Sequence, residues 1–179
     1  MGKIVFVTGG RRSGKSAYAQ NLAESLKNKP MLYIATCPVI DEETKTRIEN
    51  HKRDREGAGW DTKEETVDIA GVIREAKGYK TILVECLTLW INNIMFEAGK
   101  NGEQVTELTV SKLAQDALAE CRKSDSTVIF VSNEVGLGII PDNRLARNFS
   151  DIAGRVNQII AGEADQAVMM ASGLPITLK

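Results

Sequence analysis

The chain has 179 residues, with 23 Lys and Arg against 24 Asp and Glu, giving a formal charge of -1 at neutral pH. At about 150 residues per domain, this length predicts a single domain spanning 1–179, and a composition 42% hydrophobic and 26% charged excludes a disordered or low-complexity chain. The balanced charge excludes the broad basic field of a nucleic-acid binder, and the single histidine, His51, excludes metal centres built on two or three histidines.

Lys3–Val7 is an apolar run that predicts a strand. It enters a glycine turn without the longer hydrophobic region and small-residue cleavage site of a secretory signal. No apolar stretch approaches the roughly 20 residues of a membrane-spanning helix, so a cytoplasmic protein without a membrane span is expected. Cys37, Cys86 and Cys121 show neither Cys-x-x-Cys nor zinc-type spacing, which predicts reduced, mostly buried thiols. Beyond Gly9–Ser16, the positions Ala19, Leu22, Ala23 and Leu26 share one helical face. Met31–Ala35 reads as a second strand, and the charged Asp41–Glu56 as an exposed or cleft-lining helix. Trp60–Glu65 reads as structured loop and Asp68–Ala76 as a short helix.

Thr81–Glu85 is an apolar strand pattern ended by a carboxylate, followed by a helix over Leu87–Ala98 and a surface turn at Gly99–Gly102. Val110, Leu113, Ala114, Ala117, Leu118 and Cys121 repeat at helical spacing, on a helix expected to cover a sheet. Thr127–Val131 is a further central strand, leading to a glycine-containing loop from Asn133 to Pro141. Phe149, Ile152, Val156, Ile159 and Ile160 mark another helix, and Gln166–Ala171 with Ile176–Leu178 predict two final strands around Gly173–Pro175. The alternation predicts an α/β fold with a mainly parallel sheet, helices on both faces and a short C-terminal hairpin.

Gly9, Gly10, Arg11, Arg12, Ser13, Gly14, Lys15 and Ser16 fit G-x-x-x-x-G-K-[ST] between a strand and a helix, the context of a phosphate-binding loop. Glycines let backbone amides curve around phosphates, Lys15 can neutralise the distal oxygens, and Ser16 can ligate Mg²⁺. The helix start adds uncommitted N–H groups and a favourable dipole. A nucleoside triphosphate such as ATP or GTP is the implied ligand. Glu85, at a strand end, is a candidate to hold Mg²⁺ through water or to orient a proton acceptor; a solvated strand-end carboxylate is the alternative. Thr36, also at a strand end, is either a ligand contact or a turn cap.

Arg47, His51 and Arg55 recur every four residues, so a helix would align them in a cationic stripe reinforced by Lys52 and Arg53. Such a stripe can hold phosphates and disfavours protonation of His51, whose neutral imidazole can attack phosphorus. Spacing alone equally accommodates a solvent-facing charged helix with an incidental histidine.

Together with Tyr33–Thr36, Arg47-Ile-Glu-Asn-His51-Lys52, Leu83–Thr88, Asn133–Pro141 and Arg155–Gln158, the phosphate loop resembles the bifunctional adenosylcobinamide kinase/adenosylcobinamide-phosphate guanylyltransferase family. The likeness spans nearly the whole chain, with Arg11 standing where a smaller residue is common. The resemblance implies phosphorylation of adenosylcobinamide by a nucleoside triphosphate, followed by GMP transfer from GTP to adenosylcobinamide phosphate. It implies guanylylation of His51, nucleotide and Mg²⁺ contacts by Lys15 and Ser16, and a homo-oligomer, commonly a trimer. Asn133, Glu134 and Arg144 become candidates for ligand or interface contacts, against local capping or pairing. Trp60 and Trp90 are candidates for a cleft or interface, against core packing. Two other readings are a kinase lacking guanylyl transfer and a GTP-responsive regulatory protein.

Overall fold

The computed structural model describes residues 1–179 except 39–41, 43–45, 47, 48, 50–52 and 54. Among the described residues, strands β1 (Lys3–Gly9), β2 (Met31–Ala35), β3 (Trp60–Glu64), β4 (Thr81–Glu85), β5 (Thr127–Val131), β6 (Gln166–Ala171) and β7 (Leu174–Thr177) form one sheet, in the order β3-β2-β4-β5-β1-β6-β7. The first six pair in parallel and β7 pairs antiparallel with β6. The central strands are continuous apolar runs because both of their faces are covered.

One face carries α1 (Lys15–Ser25), whose Ala19 and Ala23 pack with Val5, Val7, Tyr33, Leu83 and Ile129. The small alanines let the helix lie close across β1, β5 and β4. The other face carries α2 (Ile69–Glu75), α3 (Leu87–Lys100), α4 (Glu107–Lys123) and α5 (Arg144–Glu163). Their inward residues, including Ile69, Trp90, Leu118 and Val156, meet Ile4, Phe6, Ile82 and Phe130 in the larger core. Side-chain caps fix the starts of α2, α4 and α5 at Asp68, Thr106 and Asn143. Trp90 is a core residue, whereas Trp60 is half-buried and donates its indole N–H to Glu24 at 3.0 Å. All three cysteines are free thiols, Cys86 and Cys121 being buried.

Trp60–Glu64 is a strand and not the expected loop. It pairs in register with β2 at the sheet edge, and four of its five residues are exposed, so backbone pairing forms it without the apolar alternation that marks a half-buried strand. The last strand starts at Leu174, two residues before the expected Ile176. Left-handed Ser172 and Gly173 (φ 52° and 84°) close a two-residue turn, and Pro175 is tolerated on the outer strand. Helix α3 runs to Lys100, shortening the expected turn to Asn101 and Gly102. Within the expected Asp41–Glu56 helix, Glu42, Thr46, Glu49 and Arg53 have helical backbone. Arg47, His51 and Lys52 lie outside the described residues.

Arg122, in the last turn of α4, ties the start of β1 to the start of β6. Its guanidinium donates to Gly2 O at 3.0 Å, Asp165 Oδ2 at 2.7 Å and Glu163 O, while Ile4 N–H donates to the same Asp165 oxygen at 2.7 Å. The Arg122 guanidinium, then the Ile4 N–H, hold the Asp165 carboxyl below the usual carboxylate range. A depressed folded-state pKa stabilises the fold above the unfolded value of about 3.9, and this stabilisation is lost as pH falls through the folded value. Asp165→Asn is therefore expected to lower the melting temperature at pH 7 and to bring the variant and parent curves together toward pH 3. Parallel melting curves across that range would contradict the latch.

Candidate active site

The C-terminal ends of the parallel strands face the loops that carry the predicted chemistry. Gly9 ends β1 in a slot where a Cβ would lie 2.5 Å from Met170 O and 2.7 Å from Ser13 Oγ, so this position is closed to any side chain. Exposed Arg12 adopts a left-handed conformation (φ 59°), and Gly14, also left-handed (φ 93°), is the N-cap of α1 with no side chain capping it. The first amides of α1 are thus directed into the loop without a side-chain acceptor.

Lys15 is buried and its ammonium donates across the loop to Gly10 O at 3.2 Å. Ser13 is buried within the turn, and its hydroxyl oxygen has no hydrogen-bond partner. An unpartnered buried hydroxyl beside directed amides and an ammonium is the arrangement that an anionic ligand completes. The loop is braced from two sides: Glu134 N–H donates to Gly9 O, and Gly173 N–H, in the β6–β7 turn, donates to Ser13 O, each at 3.0 Å.

Helix α1 carries Ser16 from the end of β1 over β5 to the end of β4, where Ser16 Oγ donates to Glu85 Oε1 at 2.5 Å. Two hard oxygen donors therefore adjoin the phosphate loop. No cluster of three or more His, Cys, Asp or Glu that could cage a metal occurs among the described residues. A two-oxygen set suits a small cation that keeps several waters and shares phosphate oxygens, as Mg²⁺ does.

Thr36 is fully buried, and its hydroxyl is engaged by Cys86, accepting from Cys86 N–H at 2.6 Å and donating to Cys86 O at 2.9 Å. It sits as a strand-end brace, with no face open to a ligand. Arg55 is likewise buried and not part of an exposed stripe. Its guanidinium lies 3.5 Å from the centre of the Tyr33 ring, because a planar cation stacks favourably on an aromatic face. Burial, then the Glu85 charge, push the Tyr33 phenol well above its ordinary range, with Arg55 opposing, so the ring stays neutral. Arg11 is exposed and Gly10 half-exposed at the loop mouth.

Asn133 donates to Thr88 Oγ1 at 2.8 Å, and its carbonyl accepts from Asn157 Nδ2 at 3.1 Å. Glu134 Oε1 accepts from Gly136 N–H at 2.7 Å, and Arg144 is exposed in the first turn of α5. Asn93 Nδ2 reaches Thr36 O at 2.7 Å and Thr66 O at 3.1 Å. Asn93 escaped the sequence reading, and Asn157, inside the Arg155–Gln158 motif, was assigned no role of its own. The available signal was a polar residue on an otherwise apolar helix face, Asn93 beside Trp90 and Ile94, and Asn157 beside Val156 and Ile160.

The family described as cobinamide kinase/cobinamide phosphate guanyltransferase matches residues 5–178. The chain belongs to this family. It is 36% identical to the bifunctional adenosylcobalamin biosynthesis protein CobU of Escherichia coli over 98% of this chain and 99% of that protein. It is 37% identical to CobU of Salmonella typhimurium, over 98% and 99% respectively, and 37% identical to CobP of Pseudomonas aeruginosa, over 97% and 95%. Among solved structures, the flagellar accessory protein FlaH from Methanocaldococcus jannaschii aligns with a TM-score of 0.53 at 16% identity, covering 99% of this chain and 78% of that one. A DnaB-like replicative helicase aligns at 0.51 and 13%, covering 93% and 46%. These two likenesses concern the fold alone. In this cobinamide kinase/guanyltransferase chain, no described helix is long and apolar enough to cross a membrane.

Proposed function

We propose that the chain phosphorylates adenosylcobinamide with ATP or GTP and then transfers GMP from GTP to the phosphorylated product, giving adenosylcobinamide-GDP. The observation that carries this reading is the convergence of Lys15, Ser16 and Glu85 at one loop in a member of a family with both activities.

In the kinase step the loop amides and Lys15 hold the triphosphate, and the aminopropanol hydroxyl of the corrinoid attacks the γ-phosphorus as the β–γ bond breaks. Ser16 and Glu85 are the residues that would hold Mg²⁺, which when bound neutralises charge building on the leaving phosphates. Glu85 also orients the attacking hydroxyl and takes up its proton as the new O–P bond forms. The Ser13 hydroxyl and Gly9, Gly10, Arg11, Arg12 and Gly14 shape and flank the phosphate cradle.

In the second step a neutral His51 nitrogen attacks the α-phosphorus of GTP, pyrophosphate leaves, and a guanylyl-histidine forms. A phosphate oxygen of adenosylcobinamide phosphate then attacks that phosphorus, the N–P bond breaks, and the imidazole is regenerated. Arg47, Lys52 and Arg55 supply positive charge for the GTP phosphates, Arg55 after leaving its stack on Tyr33. Incubating the purified protein with α-labelled GTP and Mg²⁺ tests this half: label should enter the protein as an acid-labile N–P adduct and pass to adenosylcobinamide phosphate. Absence of labelled protein would sink it.

A homotrimer in the cytoplasm is the proposed assembly. Its support is the segment after Glu134, where Leu137, Ile139, Ile140 and Leu145 stand exposed beside a groove of about 570 Å³ against α5. Exposed apolar side chains gathered on one segment are the kind of surface that a protein–protein contact covers. Ile139→Asp with Ile140→Asp is expected to shift sedimentation from a trimer to a monomer; an unchanged assembly would place the interface elsewhere.

A further inference from the structure

Every polar atom of the Thr36 backbone and side chain is committed to the end of β4 or to α3. Thr36 N–H donates to Glu85 O at 2.9 Å, and Thr36 Oγ1 accepts from Cys86 N–H and donates to Cys86 O. One threonine thus grips both polar atoms of the peptide that joins Glu85 to Cys86, and the next carbonyl as well. Thr36 O is held in turn by Asn93 Nδ2, which also ties down Thr66 O. From Cys86 the network continues through Thr88 Oγ1, 2.9 Å from Cys86 Sγ, to Asn133 at the end of β5. Thr36, Cys86, Thr88 and Asn93 are all buried, so water cannot replace these bonds.

A strand end normally frays because its last peptide loses its ladder partners. Here the last residue of β4 carries the carboxylate that meets Ser16, and a displacement of about 1 Å there is the scale at which phosphoryl-transfer geometry fails. We propose that Thr36 is a positioning residue: its hydroxyl fixes the Glu85–Cys86 peptide and thereby aims the Glu85 carboxylate at Ser16 and the cation site. The inference rests on the assignment of Glu85 and Ser16 as the oxygens that hold Mg²⁺. It gives Thr36 a role without ligand contact, and it extends to Asn93, which holds Thr36 from behind.

The test compares Thr36→Val, which keeps the branched shape and loses the hydroxyl, with Thr36→Ser, which keeps the hydroxyl. Mn²⁺ binding in the presence of a non-hydrolysable nucleoside triphosphate is followed by electron paramagnetic resonance, alongside kcat and KM of the kinase step. Thr36→Val is expected to weaken Mn²⁺ binding about tenfold and to lower kcat by about ten- to a hundredfold with KM for nucleotide little changed, and Thr36→Ser to restore both. A merely structural role would reduce the folded fraction and leave the Mn²⁺ affinity of the folded protein unchanged. Should the valine variant not fold, Thr36→Ala is read against Thr36→Ser in the same way. Glu85→Gln is the control. If it weakens Mn²⁺ binding and the Thr36 variants do not, the positioning role is wrong and the metal assignment stands. If Glu85→Gln leaves Mn²⁺ binding intact, both fall. When Thr36 acts through Glu85, adding Thr36→Val to Glu85→Gln has no further effect on Mn²⁺ affinity, whereas additive losses would contradict the proposal.

Discussion

His51→Ala should abolish guanylyl transfer while leaving cobinamide phosphorylation close to the parent rate. The two reactions cut the triphosphate at different bonds. Kinase chemistry needs a hydroxyl nucleophile and charge neutralisation at the γ-phosphoryl group, none of which an imidazole provides. Guanylyl transfer through a covalent carrier needs an unprotonated nitrogen, and His51 is the sole imidazole in the chain. Loss of a covalent nucleophile removes on the order of 10⁶ in rate, so labelled protein should fall below detection. Kinase assays with unlabelled cobinamide and γ-labelled triphosphate, run beside α-labelled GTP capture, separate the two effects. Equal loss of both activities in a folded variant would contradict separable roles, and full retention of label would move the carrier to another residue.

Lys15→Ala is expected to lower the kinase kcat by about 10²–10³-fold, the usual consequence of deleting one preorganised donor aimed at developing charge. The ammonium sits inside the loop against Gly10 O, so a triphosphate entering the cradle exchanges that carbonyl for phosphate oxygens. The lost interaction grows as charge builds on the leaving phosphates, so kcat should fall more than KM rises. Lys15→Arg should rescue poorly, since a planar fork does not fit a site built for a compact point charge. Steady-state kinetics with a melting curve for each variant checks this, and an unchanged kcat would remove Lys15 from the reaction.

The loop with its lysine and serine was legible because its pattern is local: Gly9, Gly14, Lys15 and Ser16 fall within eight residues of sequence, between a strand and a helix. The central strands were legible because burial on both faces leaves only apolar residues. Edge strand β3 was not, since an edge stands on backbone pairing and its side chains face solvent. The meeting of Ser16 with Glu85 was visible only as two separate candidates. Their adjacency depends on how α1 packs across the sheet, where Ala19 and Ala23 cluster with residues of β1, β2, β4 and β5. The burial of Arg55 was not legible for a related reason: charge spacing left an exposed and a cleft-lining helix both open, whereas the Tyr33 ring on which the guanidinium stacks belongs to a strand. The buried amides of Asn93 and Asn157 were obscured by the apolar periodicity around them.

The bracing of the phosphate loop from both sides has a thermodynamic corollary. Gly9 is flanked by the continuation of β5 and by β6, and Ser13 is buttressed by the turn that follows β6, so the loop takes its shape only when segments more than a hundred residues away in sequence are in place. A chain in which any of these strands has come loose would have no phosphate cradle. Nucleotide bound there is consequently linked to the global folding equilibrium: each increment of ligand affinity is returned as resistance to unfolding across the whole sheet, and bound nucleotide would offset a destabilising change at the distant Arg122 junction.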